Sequence, residues 1–331
     1  MDSLLRLVDD LPTLETAWER EPFVSTGLGD FGDVFSLETA ERLIHSSLPT
    51  TAVRLFRDGE LIPAERVLRN RGSNPRSREK FADGTRIADL VADGATLTLE
   101  ELQNHSPEVA RFAAEVARET GYEADCTAFL TPPRARGAAP HFDLVGIFLR
   151  QLHGSKRWRV SAPVCRLPSR ARAVDPAEVG EPVLDVVLKE GECLYLPRGF
   201  VHVGDTTDEP SLHLSIGLRG VTWERVLRSL LAGAAERFEP LREVLPPAFS
   251  DLDPAALYRE RVELLVRHLA DVEWSRVSLD RLRAEQPSAA PPPGSLAAAL
   301  RRPAAGGLPA PAADPAPAPR PDPARDCRPG R

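Results

Sequence analysis

His141 and Asp143 are the two residues whose types and spacing most directly suggest chemistry. They lie two positions apart in PHFDLVGIFLRQLHGSKRWRV, from Pro140 to Val160, so on an extended strand both side chains leave the same face and can bind one ion. His202, in LYLPRGFVH, follows a Gly-punctuated apolar run that indicates another strand of the same small barrel, and it is the best candidate for a third ligand. Two imidazoles and one carboxylate leave half of an octahedron open, as in non-haem Fe(II) oxygenases. We therefore expect a reactive iron centre.

The elements around these residues have the pattern of an all-β fold. From about Ala124 to Leu218, short apolar runs alternate with Gly and Pro turns, which is typical of a barrel or jelly roll. The run from Gly146 to Leu152 ends at Gly154-Ser155, a pair suited to a two-residue hairpin, after which Lys156 to Val160 returns. A straight strand from His141 to this hairpin would span roughly 40 Å. The chain must therefore curl, and Gly146 is a natural corner.

A second hairpin is predicted to deliver the third ligand. Val183 to Leu188 and Cys193 to Leu196 are predicted strands, joined by the turn Lys189-Glu190-Gly191-Glu192 and followed by His202. In His213-Leu214-Ser215-Ile216 polar and apolar residues alternate, so His213 and Ser215 share one face of a further strand.

Residues 1–100 are predicted to form a mixed α/β region that flanks a barrel over residues 101–220. Ser36 can cap a helix that carries Ala40, Leu43 and Ile44, and TAVRLF followed by Asp58-Gly59 predicts a strand and a turn. A clearer helix begins at Ser106-Pro107, with Ser as its cap and Pro in its first turn, and stops at Gly121. We expect this flanking region to pack against the barrel.

Residues 221–286 have a helical pattern. One helix is predicted over Trp223 to Phe238 and a second from Asp253-Pro254, each with an apolar stripe that suits a core or a dimer face. His268 is predicted to be a packed or surface histidine. Residues 287–331 contain 13 Pro and 13 Ala, which cannot bury enough surface to fold, so a disordered tail is expected. The helical stripes predict a homodimer.

Composition excludes several classes of protein. The 331 residues include 42 basic and 49 acidic side chains, for a net charge of -7, without the basic face that a nucleic-acid binder needs. The start, MDSLLRLVDD, lacks the pattern of a signal peptide, and no apolar window approaches a membrane span. The four cysteines form no CxxC pair, so we expect reduced, structural thiols. A cytoplasmic protein without nucleic-acid or membrane partners is predicted.

Five blocks between Gly94 and Val221 carry a family resemblance: GATLTLEEL, FLTPPRARGAAPHFD, QLHGSKRWRV, ECLYLPRGFVH and SLHLSIGL. In this order they resemble the bacterial JmjC/cupin-type oxygenases related to the ribosomal oxygenases. The resemblance implies an α+β protein built on a double-stranded β-helix, with His141, Asp143 and His202 as iron ligands. It also implies a hydroxylase, a dioxygenase that uses Fe(II), 2-oxoglutarate and O2 to modify a protein or peptide side chain. The family's basic residue that pairs with the far carboxylate of 2-oxoglutarate falls on Lys156.

The chain departs from the family pattern in three places. Relatives usually have Asn-Ala-Tyr where this chain has Thr127-Ala128-Phe129, so a phenol near the cosubstrate is absent; Thr127 is our candidate to compensate, and Ser215 is a further candidate cosubstrate contact. Leu144-Val145-Gly146 lacks the acidic residue that usually follows the Asp ligand, which implies different substrate contacts. The ribosomal oxygenases continue into a winged-helix domain where this chain has its Pro/Ala-rich tail, so a ribosomal substrate does not follow from the resemblance.

Other functions share the barrel. A small-molecule hydroxylase, a sugar isomerase or lyase, and a non-catalytic metal-binding cupin are the alternatives. Isomerase sites usually use more histidines, and no phosphate-binding glycines are present here. The intact ligand set together with Lys156 favours the oxygenase. Arg198, beside the third ligand, could meet substrate, although an exposed structural arginine is the simpler interpretation.

Overall fold

The computed structural model describes residues 2–69, 80–247 and 253–272; the predicted tail over residues 287–331 lies outside these ranges. The α-helices of this part are α1 (Leu11–Ala17), α2 (Leu37–His45), α3 (Gly84–Ala92), α4 (Pro107–Thr120), α5 (Trp223–Arg237) and α6 (Pro254–Asp271). The strands are β1 (Phe23–Ser25), β2 (Val53–Arg57), β3 (Glu60–Leu61), β4 (Leu68–Arg69), β5 (Phe81–Ala82), β6 (Thr96–Leu99), β7 (Glu123–Thr131), β8 (Gly146–Ser161), β9 (Pro182–Lys189), β10 (Cys193–Leu196) and β11 (Val201–Arg219).

Nine of the described strands form one antiparallel sheet, in the order β1-β10-β8-β11-β7-β6-β2-β3, with β9 paired to β8. Strands β4 and β5 form a separate pair. Along the described chain the pairing does not close into a ring, because β1 and β3 end the path. The predicted jelly-roll architecture with flanking helices is confirmed, whereas the sheet is not a closed barrel.

Strands β8 and β11, of 16 and 19 residues, are the two longest and pair along most of their length. The first half of β8 has β10 as its other neighbour and the second half has β9. The β8–β11 register shifts between Leu212 and His213 and between Thr206 and Ser211. Such irregularities bend a sheet and increase its twist. The long pair of β8 and β11 therefore belongs to two neighbouring parts of the sheet, one that contains β10 and one that contains β9.

Both predicted hairpins are wrong in detail. Gly154, at a φ of 63°, lies inside β8 where the carbonyl of Pro210 packs against it, so the strand continues through Gly154-Ser155 instead of reversing. A positive φ suits Gly in a bulge as well as in a turn. Strands β9 and β10 are joined by the predicted turn, but each pairs with a different half of β8 rather than with its sequence neighbour.

The predicted local signals of the flanking region are confirmed. Ser36 caps α2 by accepting from the backbone N–H of Thr39, and β2 turns into β3 through Asp58 and Gly59, both at positive φ. Helix α4 has Ser106 as its N-cap and ends at Gly121 in the left-handed conformation. Strands β1, β2, β3 and β6, all from the first hundred residues, extend the main sheet itself.

Two apolar clusters hold the sheet. The larger lies between the sheet and helices α2 to α4, and includes Ile87, Leu97, Phe112 and Phe148. The smaller joins the second face of β8 to β9 and β10, with Leu149, Trp158, Leu188 and Leu194 among its members. The candidate site lies beside this smaller cluster.

The C-terminal helices were predicted at these positions. Helix α5 buries Val226, Leu230 and Ala234, while Leu227 and Leu231 on the same helix stay exposed. His268 of α6 packs edge-on against Phe238, as expected for a packed histidine. No helix among the described residues has the length and apolar character needed to cross a membrane.

Candidate metal centre

His141 and His202 are joined through their backbones. His202 is the second residue of β11, and His141 lies in the segment before β8, where the two residues form an isolated antiparallel bridge. The carbonyl of Asp143 accepts a hydrogen bond at 3.0 Å from the N–H of Gly199, in the turn that leads into β11. The predicted strand through His141 and Asp143 is wrong, because in this segment only His141 pairs with another strand and the pairing does not continue to Asp143. The bridge still brings the three candidate ligands together.

Hydrogen bonds orient the two imidazoles. Nδ1 of His141 lies 2.8 Å from the carbonyl oxygen of Ala139, and Nδ1 of His202 lies 3.1 Å from that of Phe200. A histidine that donates Nδ1–H to a carbonyl presents the Nε2 lone pair to a metal. Nε2 of His202 is 3.6 Å from a carboxylate oxygen of Asp143, and one donor atom from each of the three residues lies within 4.8 Å of the others. The donor set fits a single divalent ion.

The electrostatics of His202 favour the state that binds a metal. Burial and, to a smaller extent, the neighbouring His141 together lower the pKa of its imidazole to about 4, against the opposing effect of Asp143. A neutral imidazole keeps the lone pair that a metal requires.

A cavity of about 250 Å³ opens beside the three residues. Strands β7, β8 and β11 line it with alternate side chains, because successive residues of a strand point to opposite faces. From these strands the lining includes Asp125, Thr127, Phe129, Ile147, Leu149, Lys156, Trp158, His202, His213 and Ser215. The mixture of an apolar wall with a few polar groups is typical of a small-molecule site.

Lys156 places a buried cation in this cavity. Its side chain is 2% exposed, its ammonium donates to the hydroxyl of Thr131 at 3.2 Å, and it lies 5.1 Å from the ring centroid of Trp158. Among the described residues no carboxylate forms an ion pair with it, and burial lowers its pKa to about 8. A buried charge without a counter-ion is costly, so this site is built for an anionic ligand.

Glycines make room for the lysine. A Cβ at Gly204 would lie 2.7 Å from Cε of Lys156 and 2.9 Å from the ring of Trp158, and a Cβ at Gly137 would lie 3.6 Å from the ammonium. The segment that contains Gly137 is tied down because the hydroxyl of Thr206 bonds to the backbone of Pro132 and Ala135. The backbone at Gly137 is therefore held close to the ammonium of Lys156.

Thr127 and Ser215 directly face each other across β7 and β11, and both line the cavity. Phe129 pairs in the same way with His213, and their rings stack with centroids 4.9 Å apart. The structure thus places every predicted site residue at one cavity. Sequence analysis assigned no role to His213, Trp158 or Thr131, although the shared face of His213 and Ser215 was a usable signal.

Arg198 is not the exposed arginine that was expected. Its side chain is 15% exposed and pairs with Glu19 at 2.5 Å, which ties the segment after α1 to the turn before His202. Cys126 and Cys193 are buried free thiols, as predicted, whereas Cys165 is exposed and therefore does not fit the expected structural role.

Comparisons with known proteins extend this picture. Residues 98–226 match the model of the JmjC domain. The chain is 36% identical over 202 residues to ribosomal oxygenase 1 of Rattus norvegicus, covering 54% of this chain and 34% of the relative. It is 43% identical over 90 residues to the bifunctional lysine-specific demethylase and histidyl-hydroxylase NO66 of Drosophila persimilis, covering 27% of this chain and 13% of the relative.

Among solved structures, the fold resembles YcfD, a ribosomal oxygenase from Escherichia coli, in complex with cobalt and 2-oxoglutarate. The TM-score is 0.50 at 19% identity, over 80% of this chain and 68% of that one. The fold and the arrangement of the candidate site agree with the match of residues 98–226 to the JmjC domain model. The chain is homologous to the ribosomal oxygenases over about half of its length, as the sequence blocks indicated, and it spans about a third of the length of the curated relatives that it matches.

Proposed function

We propose that the protein is an Fe(II)- and 2-oxoglutarate-dependent oxygenase that hydroxylates a side chain of a protein or peptide substrate. The observation that carries the proposal is that two imidazoles, one carboxylate and the unpaired cation of Lys156 share one cavity. The relatives support it, since they are called ribosomal oxygenases or histidyl-hydroxylases, and YcfD has been seen with cobalt and 2-oxoglutarate.

His141, Asp143 and His202 would hold the iron. A set of two His and one carboxylate suits Fe(II) and leaves positions for a chelating cosubstrate and O2. When bound, Fe(II) would activate O2, which is the oxidant: one oxygen atom enters succinate as 2-oxoglutarate is oxidatively decarboxylated with loss of CO2, and the other enters the substrate C–H bond as hydroxyl. The hydrogen bonds from Nδ1 of each imidazole hold its ring in orientation, so the ligands need little rearrangement to bind.

Lys156 would pair with the far carboxylate of 2-oxoglutarate. The ammonium already donates to Thr131, which fixes its direction, and the dry surroundings strengthen its attraction for an anion. Thr127 and Ser215, which face each other on the same wall, are the proposed hydroxyl donors to the cosubstrate. Phe129 supplies a flat apolar wall without a phenol. These residues bind and orient the cosubstrate and keep water away from it.

Exposed apolar side chains on the C-terminal helices support a homodimer as part of the proposal. On α5, Trp223 is 76% exposed, and Leu227 and Leu231 are about half exposed. On α6, Val262 and Val266 are also more than half exposed. Several large exposed apolar side chains on two neighbouring helices suit a surface that a second protein covers. We also place the protein in the cytoplasm, because free thiols and Fe(II) both suit a reducing compartment.

The proposal is tested by incubating the protein with Fe(II), 2-oxoglutarate and a library of peptides. We expect succinate release that depends on both iron and 2-oxoglutarate, and a peptide that gains the mass of one oxygen atom. The Asp143→Ala variant is the matched control and should give neither product. Absence of 2-oxoglutarate binding and of succinate release from the iron-loaded wild type would exclude this function.

A further inference from the structure

His213 differs from the two histidines assigned to the metal. Nδ1 of His141 and Nδ1 of His202 each lie within hydrogen-bonding distance of a carbonyl oxygen two residues earlier. His213 is 1% exposed and its Nδ1 is completely buried, yet among the described residues that atom has no hydrogen-bond partner. Buried polar atoms are nearly always paired, so an unpaired one requires an explanation.

The ring of His213 is fixed in place by its neighbours. It stacks on Phe129 at an interplanar angle of 1° and meets the ring of Trp158 edge-on, with centroids 5.2 Å apart. Trp158 also contacts the ammonium of Lys156. The indole therefore contacts both His213 and Lys156, and all three residues line the cavity. Stacking prevents the imidazole from turning towards a protein partner elsewhere.

The surroundings of His213 indicate which kind of ligand would satisfy it. Phe129 and Trp158 offer no acceptor, and burial, followed by the charge of Lys156, lowers the pKa of the imidazole well below its ordinary value. When Nδ1 carries the proton of the neutral imidazole, its N–H needs an acceptor from outside the protein. One carboxylate has two oxygens with several lone pairs, and can accept from an ammonium and an imidazole at once.

We propose that His213 is a second anchor, beside Lys156, for the far carboxylate of the dianionic cosubstrate. This inference rests on the proposed function, because it takes 2-oxoglutarate as the ligand of the cavity. His213 is then a binding residue that helps the site to distinguish a five-carbon 2-oxo diacid from the corresponding monoacid, since a monoacid would leave both donors unpaired.

The test measures binding rather than turnover. Isothermal titration calorimetry of the Mn(II)-loaded, full-length protein would compare 2-oxoglutarate with 2-oxopentanoate, in which a methyl group replaces the far carboxylate. His213→Phe removes the donor and keeps a flat ring that can stack on Phe129. His213→Asn keeps an N–H donor near the position of Nδ1. His268→Phe is the matched control, because Nδ1 of His268 is also buried and unpaired but lies on α6, outside the cavity.

We expect His213→Phe to weaken 2-oxoglutarate binding by about tenfold or more, which corresponds to about 1.4 kcal/mol. Its binding of 2-oxopentanoate and of Mn(II) should match the wild type. His213→Asn should recover part of the loss, and His268→Phe should show none. The melting temperature of ligand-free His213→Phe should equal or exceed that of the wild type, since an unpaired buried donor is replaced by an apolar ring.

Equal 2-oxoglutarate affinities for wild type and His213→Phe would overturn the inference and leave the proposed function intact. Equal losses for both acids would also overturn it, because they would show a general disturbance of the cavity. If even the wild type fails to bind 2-oxoglutarate, the proposed function itself fails. Should His213→Phe not fold, His213→Leu, which also removes the donor, is measured against the same two acids: a loss confined to 2-oxoglutarate supports the anchor, and no selective loss contradicts it.

Discussion

The backbone N–H of His202 donates to the carbonyl of His141 at 2.8 Å, and the N–H of His141 donates back to the carbonyl of His202 at 3.3 Å. Two candidate ligands that are 61 positions apart in the chain are thus held as directly as neighbours in a sheet. The bridge leaves their imidazoles with ring centroids 4.4 Å apart. The metal site is therefore largely formed before any ion binds.

Asp143→Ala should abolish metal binding without unfolding the protein. Asp143 is only partly buried, so its removal leaves no large cavity, but two imidazoles bind Fe(II) poorly without the carboxylate. Removal of a residue that only hydrogen-bonds to a ligand costs roughly tenfold to a hundredfold in metal affinity. Removal of the ligand Asp143 itself should lower the metal content after desalting by more than this. His153→Ala, at an exposed histidine outside the cavity, is the control and should keep its metal. Retention of metal and activity in Asp143→Ala would refute the assignment.

Lys156→Met should stabilise the protein at pH 7 while abolishing tight cosubstrate binding. Burial lowers the pKa of Lys156 from 10.5 to about 8, so the charged folded state carries a cost on the order of 2 kcal/mol or more. Methionine fills a similar volume without charge. Differential scanning calorimetry of the ligand-free proteins measures the effect. A clear loss of stability in Lys156→Met would show that the lysine contributes to the fold instead.

The same lysine predicts a pH dependence of stability. Below pH 8 it is protonated in both the folded and the unfolded state, and the cost is complete. Between about 8 and 10.5 the folded state loses the proton while the unfolded state keeps it, so the free energy of unfolding of the wild type rises with pH. The advantage of Lys156→Met should therefore shrink over this range. A constant difference across it would contradict the lowered pKa.

Gly204→Ala should weaken 2-oxoglutarate binding through displaced neighbours. The added Cβ would lie within 3.0 Å of Cε of Lys156 and of the Trp158 ring, and the rigid indole cannot move aside cheaply. We expect a higher dissociation constant for 2-oxoglutarate with unchanged metal content. Gly220→Ala is the matched control, because its Cβ would meet nothing within 4 Å. Equal affinities for the two variants would show that Gly204 is not needed for space.

Leu231→Glu should convert the proposed dimer into a monomer. Leu231 is 49% exposed on α5. If a second copy covers this position, the glutamate of the variant would be a buried charge and would be costly, whereas on a free surface it would be tolerated. Sedimentation velocity at micromolar concentration gives the mass. Val183→Glu, at an exposed position on β9, is the control and should leave the mass unchanged. A monomeric wild type would remove the dimer from the proposal.

Residue type and spacing were sufficient to propose the candidate ligands, which the structure brings together, and to predict the local helix signals. His141, Asp143 and His202 are rare, polar and placed beside apolar runs, and Ser106 and Gly121 bracket α4 by capping chemistry that acts within one turn. These features depend on neighbours in the chain. A short-range pattern can therefore report them.

Features that depend on distant contacts could not be predicted in this way. Gly154 suits a hairpin and a bulge equally, and only the packing of Pro210 against it decides for the bulge. The pairing of β9 and β10 with different halves of β8 follows from the bend of the whole sheet. His213 became a candidate only when its unpaired Nδ1 and its stacking on Phe129 were visible.

Succinate release as a function of 2-oxoglutarate concentration tests the central claim most directly, for iron-loaded wild type, Lys156→Ala and Lys156→Arg. A charge-assisted bond in a dry pocket contributes about 1.5 to 3 kcal/mol, so Lys156→Ala should need roughly tenfold to a hundredfold more 2-oxoglutarate. Lys156→Arg should be affected less, because it keeps the charge. Identical curves for wild type and Lys156→Ala would contradict the account, since the buried cation would then take no part in holding the cosubstrate.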